Sequence, residues 1–211
     1  MSTNQPNADH PSKRDQILAS VATVFVHHGF KGSSMRDICA AAKLSPGALY
    51  RYFSSKDDIV EAIIAQDHAR WAAHFDLVAG SGSFFDALDY LAASTHSEGE
   101  VERLPLWLEI SAEATRNERI AEALRLHYEH LTGVITKLAA QAAADGELNT
   151  RIPAREVAVF VMAAIDGLTM RRAIDPEFDF RRSLRSTLML LRQALGARAT
   201  NTKVARRTPP P

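Results

Sequence analysis

Nearly every segment from Ile17 to Leu195 repeats its apolar residues at helical spacing, and none shows a convincing strand alternation. Ile17, Leu18, Val21, Val24 and Phe25 fall at i, i+1, i+4, i+7 and i+8, and Met35, Ile38, Cys39 and Ala42 share one face. Ile120, Leu124, His127, Leu131, Leu138 and Ala142 stripe a longer helix. The pattern predicts an all-α fold of about nine helices, three short and then six mostly long. Punctuation supports the same division. Ser12 is placed to cap the first helix and Gly29 to end it, while Ser33 or Ser34 opens the second. Ser55 with Asp58 resembles a capping box for a helix running to Gly80. Further helices are expected over Ser83 to His96 and Glu102 to Arg116, with Pro105 in a first turn, and Asn117 and Asp179 cap two more. Pro153 suits the first position of the helix after the loop DGELNTRIP.

A chain of 211 residues needs no covalent staple to hold a core. Cys39 is the only cysteine, so no internal disulfide can form and a reducing compartment fits. No apolar leader is visible at the N-terminus, and the longest apolar run, Val157 to Ile165, is far shorter than a membrane span. A soluble cytoplasmic protein is therefore expected. Basic and acidic residues balance at 25 each, but not locally. From Ser12 to Lys56 seven Lys and Arg face only Asp15 and Asp37, a net of +5. A basic module on a neutral chain points to an anionic partner for that module.

That module has the plan of a helix-turn-helix: a short helix over Ser34 to Ala42, a turn at Lys43 and Leu44, and a second short helix capped by Ser45 with Pro46 at its first position. Gly47 and Ala48 are small enough to let the helix N-terminus approach a rigid surface. Leu49 and Phe53 share the inward face, which leaves Tyr50, Arg51 and Tyr52 outward or sideways. Tyrosine hydroxyls and guanidinium groups grip phosphate, Arg51 can also reach a guanine edge, and Lys56 offers one more phosphate contact.

GFKGSSMRDICAAAKLSPGALYRYFSSKDDI, Gly29 to Ile59, resembles the DNA-binding domain of TetR-type transcriptional regulators. The resemblance runs from about residue 12 to 60 and rests on Phe25, Gly29, Arg36-Asp37-Ile38, Ser45, Gly47, Leu49-Tyr50, Tyr52-Phe53 and Lys56. It implies that the third helix enters the major groove of duplex DNA. Ser34 and Arg36 would lie at the DNA from the second helix. Ser45, Pro46, Gly47 and Ala48 would face bases, and Tyr50, Tyr52 and Lys56 would sit on phosphates. Lys43 stands where a glycine is common in the family, and reads as a solvated turn residue or one more phosphate contact. AAIDGLTMRRAIDPEF, Ala163 to Phe178, resembles the C-terminal part of the BetI-like branch, without licensing that branch's choline as ligand.

The expected organisation is a disordered arm over 1–11, a helix-turn-helix domain over 12–56, an effector-binding and dimerisation domain over 57–196, and a disordered tail over 197–211. Two-fold dimers double the DNA site that one helix-turn-helix reads. Val157 to Leu168 is apolar nearly all round, and a leucine stripe runs from Leu184 to Leu195. Phe160, Ala164, Leu168, Leu184, Leu188, Leu191 and Leu195 are therefore the expected dimer interface. The middle helices carry aromatic and histidine side chains of the kind that wall ligand pockets. His68, Trp71, Phe75, Trp107, His127, Tyr128, Asp166 and Met170 are the candidate effector-binding residues, and Asp166 needs a partner such as Arg171 or the ligand itself.

The resulting expectation is a ligand-responsive DNA-binding regulator, a homodimeric repressor released from a palindromic operator by a small-molecule effector. No nucleophile elbow, carboxylate pair or phosphate-cradling loop speaks for an enzyme, and no cofactor or metal is expected. His127 and His130, three apart, are the one pairing that a metal-sensing alternative would use, and Cys39 the one thiol for redox sensing.

Overall fold

The computed structural model describes residues 12–78, 83–94, 103–149 and 151–195, and these hold nine helices and no strand. In chain order they are α1 (Lys13–Gly32), α2 (Met35–Ala42), α3 (Pro46–Tyr50), α4 (Lys56–Val78), α5 (Phe84–Ser94), α6 (Leu104–Ala114), α7 (Glu118–Ala144), α8 (Ala154–Ile174) and α9 (Phe180–Ala194). The arm, the tail and the break expected near EGE lie outside the described residues.

Side-chain caps set most of the helix starts. Ser12 and Asp15 form a reciprocal capping box on α1, with the Asp15 amide donating to Ser12 Oγ at 3.1 Å. Asn117 Oδ1 accepts from the amides of Arg119 and Ile120 at the head of α7. At α4 the Asp58 amide donates to Ser55 Oγ at 3.1 Å, and the Asp58 carboxylate accepts from the Ser54 amide at 2.9 Å. That Ser54 hydroxyl, and then Arg119, hold the Asp58 carboxyl well below the usual range. Pro153 is the N-cap of α8 rather than its first residue. Gly29, at φ +68°, breaks α1 where the sequence places its end, and only one turn follows.

Three apolar clusters hold the helices together. The first gathers α1, α2, α3 and the first half of α4, and it also takes Leu106 and Ile110 from α6 and Ile120 and Leu124 from α7. The second joins α5, the end of α7, α8 and α9. The third, around Phe75, Leu91 and Leu131, lies between them.

The leucine stripe of α9, expected at the dimer interface, is turned into the core of its own subunit. Leu184, Leu188, Leu191 and Leu195 are 7, 6, 5 and 2 % exposed, inside the second cluster of their own chain. The reason is amphipathicity: apart from Met189 and Leu190 the rest of α9 carries arginine or other polar groups, and the leucine face closes the core over α5 and α8. Ala164 and Leu168 are half-buried, and Leu168 packs on the same core. Of the expected interface only Phe160 is open, at 57 %. A different stripe is left uncovered. Phe160, Ala163, Gly167, Met170 and Ile174 are all exposed at spacings of three and four along α8, with Met189 and Leu190 open on α9.

Candidate DNA-binding face and ligand cavity

The helix-turn-helix is built as its punctuation implies. Ser34 caps α2 through the Asp37 amide, and the Asp37 carboxylate accepts from the Ser34 amide at 2.8 Å. Lys43 ends α2 at φ 53°, ψ 46°, in the left-handed region. Its amide donates to Ala40 O, and that of Leu44 to Cys39 O at 2.9 Å, the paired bonds of a Schellman stop. This is the physical reason that glycine suits the position. Lys43→Gly removes a left-handed penalty of roughly 1–2 kcal/mol against roughly 0.5–1 kcal/mol of extra chain entropy. A net gain of about 0.5–1 kcal/mol, or about 2 °C in thermal melting, is expected; an unchanged or lower melting point would show that Lys43 is otherwise held.

Ser45 caps α3 by accepting from the Ala48 amide at 3.3 Å, and Pro46 occupies the first turn. Leu49 and Phe53 are buried at 0 and 2 %, while Tyr50 and Tyr52 are 52 and 43 % exposed. Ser34, Arg36, Lys43, Ser45, Pro46, Gly47 and Arg51 are exposed too, and Ala48 is half-exposed. A Cβ on Gly47 would meet nothing within 4 Å, so nothing inside the protein requires a glycine there. Lys56 is different. Its ammonium donates to the carbonyls of Phe30 and Ser33 and lies over the Phe30 ring, so its charge holds the end of α1. Cys39 is buried in the first cluster.

The cavity opens between α4, α5, α6, α7 and α8 and has about 150 Å³ of free volume. Trp71, Phe75, Trp107, His127, Tyr128 and Asp166 line it, as expected, together with Asp67, Arg70, Leu91, Leu104, Leu131, Ile135, Met162, Ile165 and Thr169. His68 stands behind the wall, its ring 4.1 Å from that of His130 and 6.0 Å from that of His127. Met170 is 53 % exposed on the open stripe of α8 and does not line the cavity, because it follows Asp166 by a full turn plus the helix's residual rotation. Arg171 lies over the Phe178 ring and not on Asp166.

Sequence reasoning missed the polar centre of the wall. Asp67 is 2 % exposed; it pairs with Arg70, has an Arg103 nitrogen at 4.0 Å and faces His127 Nε2 at 3.4 Å. A signal was present: Ile63, Asp67 and Trp71 are spaced by four, so a carboxylate interrupts an apolar stripe. His127 is buried rather than on an exposed helix face, and burial, then His68 and His130, push its pKa down to about 4. Trp107 stacks on its ring at 5.6 Å. Burial, then Asp166, pushes the Tyr128 hydroxyl up to about 12. Asp166 stays accessible at the cavity mouth, yet desolvation by the surrounding wall raises its carboxyl to about 6. Among the described residues no group of three ligating side chains suits a metal ion.

Residues 17–63 match the family described as "Bacterial regulatory proteins, tetR family", and residues 88–196, more than half of the chain, match the C-terminal region of the "BetI-type transcriptional repressor". The chain belongs to the TetR family. This TetR-family chain is 32 % identical to the HTH-type transcriptional regulator UidR of Escherichia coli K12 over 139 residues, 66 % of the chain and 70 % of UidR. Salmonella enterica GusR superposes with a TM-score of 0.73 at 29 % identity, over 90 % of this chain and 100 % of GusR. Bacillus subtilis FadR, solved with stearoyl-CoA, shares the fold at 18 % identity and a TM-score of 0.74, over 84 % of this chain and 96 % of that one. Like its TetR-family relatives the protein is a transcriptional regulator and not an enzyme. Among its described residues no helix is long and apolar enough to cross a membrane.

Proposed function

We propose that this TetR-family protein is a cytoplasmic repressor that sits as a homodimer on a two-fold symmetric operator and leaves it when a small molecule fills the cavity. The observation that carries the DNA reading is the projecting α3, whose Gly47 has open space where every other reason for a glycine is missing. Ser45, Pro46, Gly47 and Ala48 face the base edges in this reading. Arg36, Tyr50, Arg51 and Tyr52 hold phosphates around them, Ser34 joins them from the head of α2, and Lys43 adds a charge at the rim. Lys56 acts from behind by fixing α1. The uncovered stripe of α8, with Met189 and Leu190, supplies the dimer face and sets two recognition helices one or more DNA turns apart, roughly 34 Å per turn. The cavity, with aromatic walls and a few polar groups, is the effector site.

Fluorescence anisotropy with the intergenic DNA adjoining the protein's own gene tests the reading. Saturable binding that weakens steeply with salt is expected; failure to bind at low salt, with helicity intact, overturns it. Gly47→Leu separates the surface from the fold. The open space and the better helix propensity leave stability equal or higher. Operator affinity falls about tenfold or more, since a disturbed contact costs roughly 1–3 kcal/mol in each half-site. Wild-type affinity in that variant would remove α3 from the DNA.

A further inference from the structure

Phe30, at the end of α1, is gripped from two sides. The Lys56 ammonium of α4 donates to its carbonyl and lies over its ring. Its amide is met from α6, donating to Glu109 Oε2 at 3.3 Å. Gly29 leaves room for that carboxylate: a Cβ there would stand 3.3 Å from the same oxygen, and the backbone turns at φ +68°. Three residues further, the Ser33 carbonyl accepts from the same ammonium, and Ser34 then caps α2. The turn that receives Glu109 therefore leads straight into the helix-turn-helix.

The other face of α6 belongs to the cavity. Leu104 and Trp107 line it, and the Trp107 ring stacks on His127 at 5.6 Å. Glu109 follows Trp107 by two residues, about 200° around the helix, and lies outside the lining. Leu106 and Ile110 pack in the first apolar cluster with Phe25 and Phe30. A close-packed helix transmits strain, so a molecule that displaces Trp107 also displaces Glu109. Asn117 and Arg119 make a separate tie, from the head of α7 to Asp57, Asp58 and Glu61 at the start of α4. We propose that Glu109 is the positioning residue that carries occupancy of the cavity to the DNA-binding helices, through its bond to the Phe30 amide. The assignment rests on the reading of the cavity as effector site. A ligand acts on the operator only as far as its binding differs between two placements of α6 and the Phe30 turn.

A ring built into the chain stands in for the ligand in the test. Thr169→Trp sets an indole on the cavity wall, and operator affinity, read by anisotropy, is expected to fall about tenfold. Ile165→Trp, on the same wall, takes its place if that variant does not fold by circular dichroism. Glu109→Ala keeps operator binding, since Lys56 still grips Phe30, and is expected to remove the response to the added ring. Glu109→Gln keeps an oxygen that accepts from the amide and is expected to restore it. Hydrogen exchange at the Phe30 amide is an independent readout, and carries the test if neither ring variant folds. It is expected to run about three- to tenfold faster in the alanine variant and near the wild-type rate in the glutamine variant. An equal fall in affinity with and without Glu109 leaves the cavity as the switch and takes Glu109 out of the path. No fall in either background removes the cavity as the switch, and the proposal with it. Unchanged exchange at Phe30, a response lost from the glutamine variant too, or loss of operator binding in Glu109→Ala alone each overturn the proposal.

Discussion

Glutamates at Phe160 and Ile174 are expected to turn a micromolar dimer into a folded monomer whose hold on the operator is about a hundredfold weaker, or worse. The two side chains are 57 and 71 % exposed, so the subunit core does not depend on them and helicity survives the change. A two-fold contact places the same patch on both partners, and groups near the axis meet their own copies. Glutamates there must lose water or face a like charge, and either outcome opposes pairing. In the proposed interface the small Ala163 and Gly167 between them would let two α8 helices approach closely, and a Cβ on Gly167 would meet nothing within 4 Å. A lone subunit also gives up the effective concentration that the second reading head confers. Light scattering and anisotropy on one preparation check both halves. A variant that remains dimeric would move the interface elsewhere on the surface.

Asp67→Ala is expected to cost about 3–5 kcal/mol of stability, because removing one member of a buried ionic group strands the others. Arg70 and Arg103 both turn toward this carboxylate, and Arg103 Nε already has no partner among the described residues. Without Asp67 the guanidinium groups face each other, and the imidazole of His127 loses the group that orients it. A fall of about 10 °C in thermal melting follows for a chain of this length. Asp67→Asn keeps an accepting oxygen and loses the charge, so its penalty falls in between. A loss below about 1 kcal/mol for the alanine variant would mean that water replaces the carboxylate without strain.

How much of this was readable from residues alone depended on whether a role needs one segment or several. The DNA face is local: cap, proline, small residues and outward tyrosines follow one another from Ser45 to Tyr52, and the structure exposes and buries them in the order their spacing implies. Lys43 is local as well, but its left-handed turn shows only in its dihedrals. The cavity wall was partly legible, since Trp71, Trp107 and Tyr128 announce themselves by size. Asp67 and Arg70 did not, because a buried ion pair one turn apart looks like an ordinary exposed pair until the partner helices are in place. The leucine stripe of α9 misled for a related reason. Periodicity tells which face is hidden and not what hides it, and here α5 and α8 of the same chain do.

The first apolar cluster has a practical bearing on protein engineering. Ile17, Phe25 and Ile38 share it with Leu106, Ile110, Ile120 and Leu124, some seventy to a hundred positions further along. A chimera that transplants only residues 12–56 onto another scaffold severs this shared interior, baring greasy surface on both the donor piece and the truncated remainder. Exchanging specificity between such proteins therefore calls for rewriting side chains along the outside of one short helix, with the host interior kept whole.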